Sequence, residues 1–189
     1  MKNLLAKVFF GAVAGSSTLF ALPQGHTVVA GQAEFSSQEN KLTVLASDQA
    51  IINYQTFNLR EGEKIEFVQP SVKACLLNRV VGGDISRLLG EIRSNGRIFL
   101  VNPQGIYFGR EAVVNVGSLV ASTLNIKDED FLAGNYRFFL EPGAEKAKIV
   151  NEGKIASLDQ GFIGLFAPII ENRGPLLAKA EKIILASAE

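Results

Sequence analysis

The sequence predicts an all-β fold, a parallel β-helix, and three observations point there. Gly96 and Gly117 stand 21 residues apart, and Gly153 and Gly174 repeat that spacing. Aliphatics keep step with these glycines: Ile92, Val113, Ile149 and Ile170 precede them by four residues, and Ile98, Leu119, Ile155 and Leu176 follow by two. The segments between are short, rich in Ile, Val, Leu and Phe, and bounded by Gly, Asn and Pro, which is strand-and-turn chemistry rather than helix. A fixed short period with aliphatics in register marks stacked rungs. An antiparallel sandwich also has regular turns, but it gives no reason for a repeated residue frame.

Strand alternation places Ile98 with Leu100, Leu119 with Ala121, Ile155 with Ser157, and Leu176 with Ala178 on one face each. Stacking predicts one interior column of Ile98, Leu119, Ile155 and Leu176, and an amide ladder in which Asn115, Asn151 and Asn172 correspond. On this frame the 36-residue step from Gly117 to Gly153 is one period plus an insertion of 15.

The 189 residues allow one domain behind a removable leader, and an apolar content of 47% suffices for a sizeable core. A net charge of +0 offers no electrostatic footprint for nucleic acid or an anionic membrane surface. Cys75 is the only cysteine, which removes intramolecular disulfides and cysteine-based metal clusters; its apolar flanks predict a buried small hydrophobe.

In chain order, residues 1–21 begin with Lys2 and Lys7 and continue into a short apolar run broken by Gly11, Gly15 and Ser16. That is the n-region and h-region of a secretory signal, too short for a membrane span of about 20 apolar residues. Cleavage after Ala21 leaves Leu22 first; Ala30 is a competing site further from the apolar run. Residues 22–44 alternate polar and apolar with breaks at Gly25 and Gly31, and the sole histidine, His26, sits in a turn at the surface. A Ser-His-Asp or Cys-His site would need that one residue. Alternation directs Ile65 and Phe67 to one face and Glu66 to the other, and Pro70 ends the strand.

Gly82, Gly83 and Gly90 lack a phosphate-loop frame and are expected as turn glycines with positive φ. Residues 85–89 fit either one helical turn or a short strand. In the insertion, residues 131–132 and 136–140 flank Ala133, Gly134 and Asn135, predicting a β-hairpin that leaves the stack. Asp128, Glu129 and Asp130 lack the glycine and terminal glutamate of an EF-hand loop and are expected in a solvated loop. The rungs then resume to the last residues, where an uncovered final rung suggests the front part of something longer.

The runs INYQTFNL, GEKIEFVQP, LLNRVVGGDISRLLGEIRSNGRIFLVNPQGIYFG, AVVNVGSLVASTLNI and NEGKIASLDQGFIGLFAP resemble the N-terminal secretion (TPS) domain of two-partner-secretion exoproteins, the filamentous-haemagglutinin-like and high-molecular-weight-adhesin-like proteins of Gram-negative bacteria. The resemblance covers residues 22–189. It implies a right-handed parallel β-helix with N-terminal capping strands. It also implies Sec export, recognition by the periplasmic domains of a cognate outer-membrane β-barrel transporter, and folding at the cell surface ahead of an adhesin-like passenger that could meet a host ligand. Catalysis, cofactors and metals are not implied.

The family motif NPNGI maps onto Asn102, Pro103, Gln104, Gly105 and Ile106, with Gln104 in place of the usual Asn, and Tyr54 stands where adhesin-type relatives often carry Trp. The absence of a second Asn-Pro motif favours the adhesin-type branch. Residues 102–106, with neighbouring Asn78 and Arg79, are the candidate recognition residues. The same residues also suit a plain turn, Pro103 presetting φ and Gly105 accepting positive φ. A β-helical carbohydrate-active enzyme is one alternative, but its paired carboxylates on a groove are not evident here. A stand-alone surface adhesin is the other.

Overall fold

The structure is a computed structural model that describes residues 21–179 and 182–187; the expected leader lies outside these residues except for Ala21. The first strands, β1 (Thr27–Ala30) and β2 (Ala33–Gln38), run antiparallel to the strands they cover. Those are β3 (Lys41–Ala46), which pairs with β2, and β4 (Ala50–Tyr54), which pairs with β1. β5 (Lys64–Val68) and β6 (Cys75–Val80) stack on them in parallel.

Two three-strand rungs follow. The first is β7 (Ser86–Leu88), β8 (Glu91–Ser94) and β9 (Arg97–Val101). The second is β10 (Ile106–Phe108), β11 (Val113–Val116) and β12 (Ser118–Ser122). The insertion comprises β13 (Asn125–Ile126), the helix α1 (Asp128–Leu132) and β14 (Phe138–Phe139). Two more rungs complete the stack: β15 (Lys148–Asn151), β16 (Lys154–Ser157) and β17 (Ile163–Phe166), then β18 (Ile169–Asn172), β19 (Leu176–Leu177) and β20 (Ile183–Ala186).

The stack forms three sheets, beside the two-stranded pair β13-β14 of the insertion. Sheet 1 runs β1-β4-β6-β9-β12-β17-β20, sheet 2 runs β2-β3-β5-β8-β11-β16-β19, and sheet 3 runs β7-β10-β15-β18. The chain forms a right-handed parallel β-helix with antiparallel strands at its N-terminal end. Residues 86–88, open between helix and strand in the sequence, form β7.

The 21-residue period is real, but its two glycine pairs mark different corners. Gly96 and Gly117 turn the chain from sheet 2 into sheet 1, and their counterpart in the third rung is Gly161, not Gly153. A Cβ on Gly161 would lie 1.8 Å from the Gly117 carbonyl oxygen. Gly153 and Gly174 turn the chain from sheet 3 into sheet 2, and a Cβ on Gly174 would lie 2.1 Å from the Gly153 carbonyl. The expected single column therefore splits. Leu76, Ile98, Leu119, Ile163 and Ile183 stack on sheet 1. Ile65, Ile92, Val114, Ile155 and Leu176 stack on sheet 2. Both columns face one interior, where a fully buried aliphatic contributes about 1.5–3 kcal/mol.

Three smaller expectations change with this register. Val113 points outward at 41% exposure, because Val114 is the residue paired with Ile92. Asn151 donates to Asn172 at 2.8 Å, as a ladder requires, but Asn115 sits beside Arg93 and Ala156 on sheet 2. Gly82 and Gly90 are not positive-φ positions, and neither is Gly83. At Gly82 and Gly90 the need is space: a Cβ would lie 2.0 Å from the Gln55 carbonyl oxygen and 2.2 Å from that of Glu63.

The insertion does not leave the stack. Its paired arms are β13 and β14, and the acidic run opens α1 instead of a loop. The outer face of sheet 1 carries Ile51, Leu77, Phe99, Val101 and Val120, apolar surface that the insertion covers with Ile126 and Phe131. Phe131 meets Phe99 edge-on at 5.3 Å, Tyr136 lies 4.8 Å from the same ring, and Phe138 stacks on Phe166 at 5.5 Å. Cys75 is buried, as its flanks predicted, with its sulfur 3.4 Å from the Tyr136 hydroxyl. His26 is exposed and stacks on Phe35.

Candidate recognition surface

The N-P-x-G turn joins β9 to β10, carrying the chain from sheet 1 to sheet 3. Asn102 Oδ1 accepts the Gln104 N–H at 2.9 Å, the Asx-turn that its residue type favours, and its main-chain carbonyl accepts the Gly105 N–H at 3.1 Å. Gly105 has φ +131°, a conformation open to glycine and strained for other residues. The Asn102 amide donates to the Asp84 carbonyl at 3.1 Å and to Ser86 Oγ at 3.0 Å, tying the turn to the previous rung. Both of its N–H groups and its oxygen are thus satisfied within the domain, and the residue is fully buried. Ile106 belongs to the core, Pro103 is half-buried, and Gln104 is the exposed side chain of the motif.

Asn78 and Arg79 pair in register with Leu100 and Val101, directly before this turn, and their side chains point to opposite faces of the sheet. Asn78 points inward, fully buried, and donates to the Phe99 carbonyl at 3.5 Å. Arg79 points outward beneath the insertion. Its guanidinium meets Asp128 Oδ1 at 2.7 Å and donates to Asn125 Oδ1 at 3.1 Å and to the Ile126 carbonyl. A planar fork of donors suits this cluster of oxygens, which holds the insertion down.

Beside the turn lies a feature the sequence reading did not single out. Arg87, Tyr107, Val150 and Glu171 form one row across the outer face of sheet 3. Behind the row, the Tyr107 hydroxyl donates to Glu152 Oε2 at 2.9 Å, and Arg173 meets Glu152 Oε1 at 2.8 Å while also pairing with Glu171. Lys148 meets Glu171 at 3.2 Å. Hydrogen bonds from Arg173 and Tyr107 hold the Glu152 carboxyl below its ordinary range, and the bond to Glu152 raises the Tyr107 phenol above its own. The available sequence signal was opposite charge one period apart, at Glu152 and Arg173. Ile85, Gln104, Gly105 and Ile106 border the same face, which forms a groove of about 430 Å³.

A parallel β-helix closed at its N-terminal end, with one long face under an insertion and another without a covering segment among the described residues, is a solenoid domain. The chain belongs to the TPS secretion domain family, which it matches over residues 20–189. Its fold is similar to the HMW1 secretion domain from Haemophilus influenzae, with TM-score 0.80 and 36% identity over 82% of this chain and 42% of that one. Two heme/hemopexin-binding proteins of Haemophilus influenzae are similar in sequence. One is 29% identical over 98% of this chain and 21% of its own length; the other is 31% identical over 61% of this chain and 13% of its own. The chain thus spans about a fifth or less of these curated relatives. TPS secretion domains engage a cognate outer-membrane transporter.

Proposed function

We propose that residues 22–189 are the targeting region of a longer two-partner-secretion exoprotein. In this reading a Sec leader is removed after Ala21, a cognate outer-membrane β-barrel recognises the domain through its periplasmic domains, and the stack nucleates folding at the cell surface. The domain acts by recognition, not catalysis. A passenger of the adhesin or heme-binding kind would carry any host-surface ligand.

The finding that supports this reading most is the TPS secretion domain family, matched over residues 20–189. Antiparallel β1 and β2 close the N-terminal end. Solenoid rungs stabilise one another through nearest-neighbour contact, so a stack can form rung by rung from that end. Such growth would oppose back-sliding of an emerging chain.

The test expresses the chain with its leader in cells with and without the cognate barrel. We expect barrel-dependent appearance in the medium of a protein beginning at Leu22. Barrel-independent release would overturn the targeting role, and retention of Lys2 and Lys7 would overturn the leader.

A further inference from the structure

We propose that the buried carboxylate of Glu63 is a receptor for the amino terminus that leader removal creates. The α-ammonium group of the mature chain pairs with it and fastens the start of the chain to the turn before β5. This inference rests on the reading above that a leader is removed ahead of Leu22.

Glu63 is 3% exposed and is held rigidly at the end of a tight turn. Its N–H donates to the Arg60 carbonyl at 3.1 Å, and Gly62 within the turn has φ +78°. Its Oε2 accepts the Arg60 N–H at 2.7 Å, and its Oε1 accepts the Ala21 N–H at 2.7 Å. Both donors are neutral main-chain amides. The ion pairs formed among the described residues use other carboxylates. A carboxylate withdrawn from water without an opposite charge is destabilising, and a cation at this place would remove that penalty through a charge-assisted hydrogen bond.

The residues that follow Ala21 are anchored, so the start of the mature chain is brought to this carboxylate. Leu22 is 8% exposed and belongs to the core cluster. Pro23 is buried and restricts Leu22 to an extended backbone. The Gln24 N–H donates to the Thr56 carbonyl at 2.9 Å, and the Gln24 carbonyl accepts the Gln55 N–H at 3.0 Å. Removing residues 1–21 leaves an ammonium group on Leu22, one residue step of about 3.8 Å from the nitrogen that now meets Glu63. That group is no longer tethered on its leader side, and capture of a terminal amine at a fixed site is an established mode of recognition. Processing precedes folding at the surface in this reading, so the cation is in place when the first strands close. A chain that keeps its leader has only a neutral amide to offer, and its N-terminal end is the less stable for it.

The test first reads the mass of the exported protein and then runs a thermodynamic cycle on it. The mature domain and its Glu63→Gln variant are each prepared with a free and with an acetylated amino terminus, and urea unfolding is measured for all four. Glutamine keeps the shape of the side chain and its acceptor oxygen, so the variant is expected to fold. We expect Glu63→Gln to lower the folding equilibrium constant of the free-amine domain at least about tenfold, and that of the acetylated domain at most about threefold. Glu61→Gln, at the exposed neighbour, should have the same small effect in both forms. Equal losses from Glu63→Gln with and without the acetyl group would mean that the carboxylate serves only its turn, and would overturn the proposal. No loss in either form would overturn it as well. Both of these results leave the targeting role intact. If the exported protein keeps residues 1–21, or begins beyond Leu22, the leader reading falls and this inference falls with it.

Discussion

Arg79 Nη1 lies 2.7 Å from Asp128 Oδ1, and this pair fastens the insertion to a strand formed before the first three-strand rung. The Arg79 side chain is 10% exposed, and its guanidinium also serves the Asn125 and Ile126 oxygens. Arg79→Ala removes all these bonds at once and is expected to cost about 2–4 kcal/mol in urea unfolding. Asp128→Asn, at a half-exposed position, should cost only about 1 kcal/mol. Hydrogen exchange should show protection lost over β13, α1 and β14 before it is lost in the rungs.

The split of the interior column is open to a double-mutant cycle. Leu119 pairs with Ile163, whereas Ile155 pairs with Val114 and Leu176. Leu119→Ala should cost about 2–5 kcal/mol. Combined with Ile163→Ala, the two effects should couple by about 0.5–1 kcal/mol. The corresponding coupling of Leu119 with Ile155 should be smaller. Leu119→Asp would bury an unpaired charge and should leave no folded domain.

The turn separates fold from recognition. Asn102→Ala leaves the Asp84 carbonyl, Ser86 Oγ and the Gln104 N–H without their partner and is expected to cost about 1–3 kcal/mol. Gln104→Ala, at the exposed position, should stay within about 0.5 kcal/mol. Secretion of Asn102→Ala should fall in step with its melting temperature, as for Ile155→Ala. A loss of secretion at unchanged stability in Asn102→Ala would make that side chain a recognition contact after all.

The three tyrosines report on pH. Burial raises the Tyr54 phenol, the bond to Glu152 raises Tyr107, and burial together with Cys75 pushes Tyr136 up to about 12. All three folded values exceed the unfolded value of about 10, so their contribution to stability is complete below pH about 10 and is lost as pH rises above it. An ultraviolet titration of the folded domain should show no tyrosine ionising at its ordinary pKa. Glu152→Gln should bring Tyr107 alone back toward it. For Glu152 the sign is opposite: its folded value is lowered, so that contribution is present at neutral pH and is lost as the solution is acidified through the carboxylate range.

The amino-acid sequence determined what depends on local chemistry and spacing. Short β-branched runs between Gly, Asn and Pro specified strands, the 21-residue period specified rungs, and Asn102, Pro103 and Gly105 specified their turn. These signals survive because a strand's inward and outward positions alternate whatever its neighbours are. The tertiary structure alone decided which corners coincide, since two glycine corners in one rung share the same spacing. Only the inter-rung hydrogen bonds across the insertion distinguish Gly161 from Gly153 as the partner of Gly117. It also decided the fates of the polar residues. Asn78 and Arg79 are adjacent in the chain, yet strand alternation sends one into the core and the other under the insertion, while Tyr107, Glu152 and Arg173 meet on the outer side of sheet 3 because three separate rungs place them there. Charge and hydrogen-bonding capacity are properties of the residue; whether they remain available to a partner depends on what the fold stacks beside them.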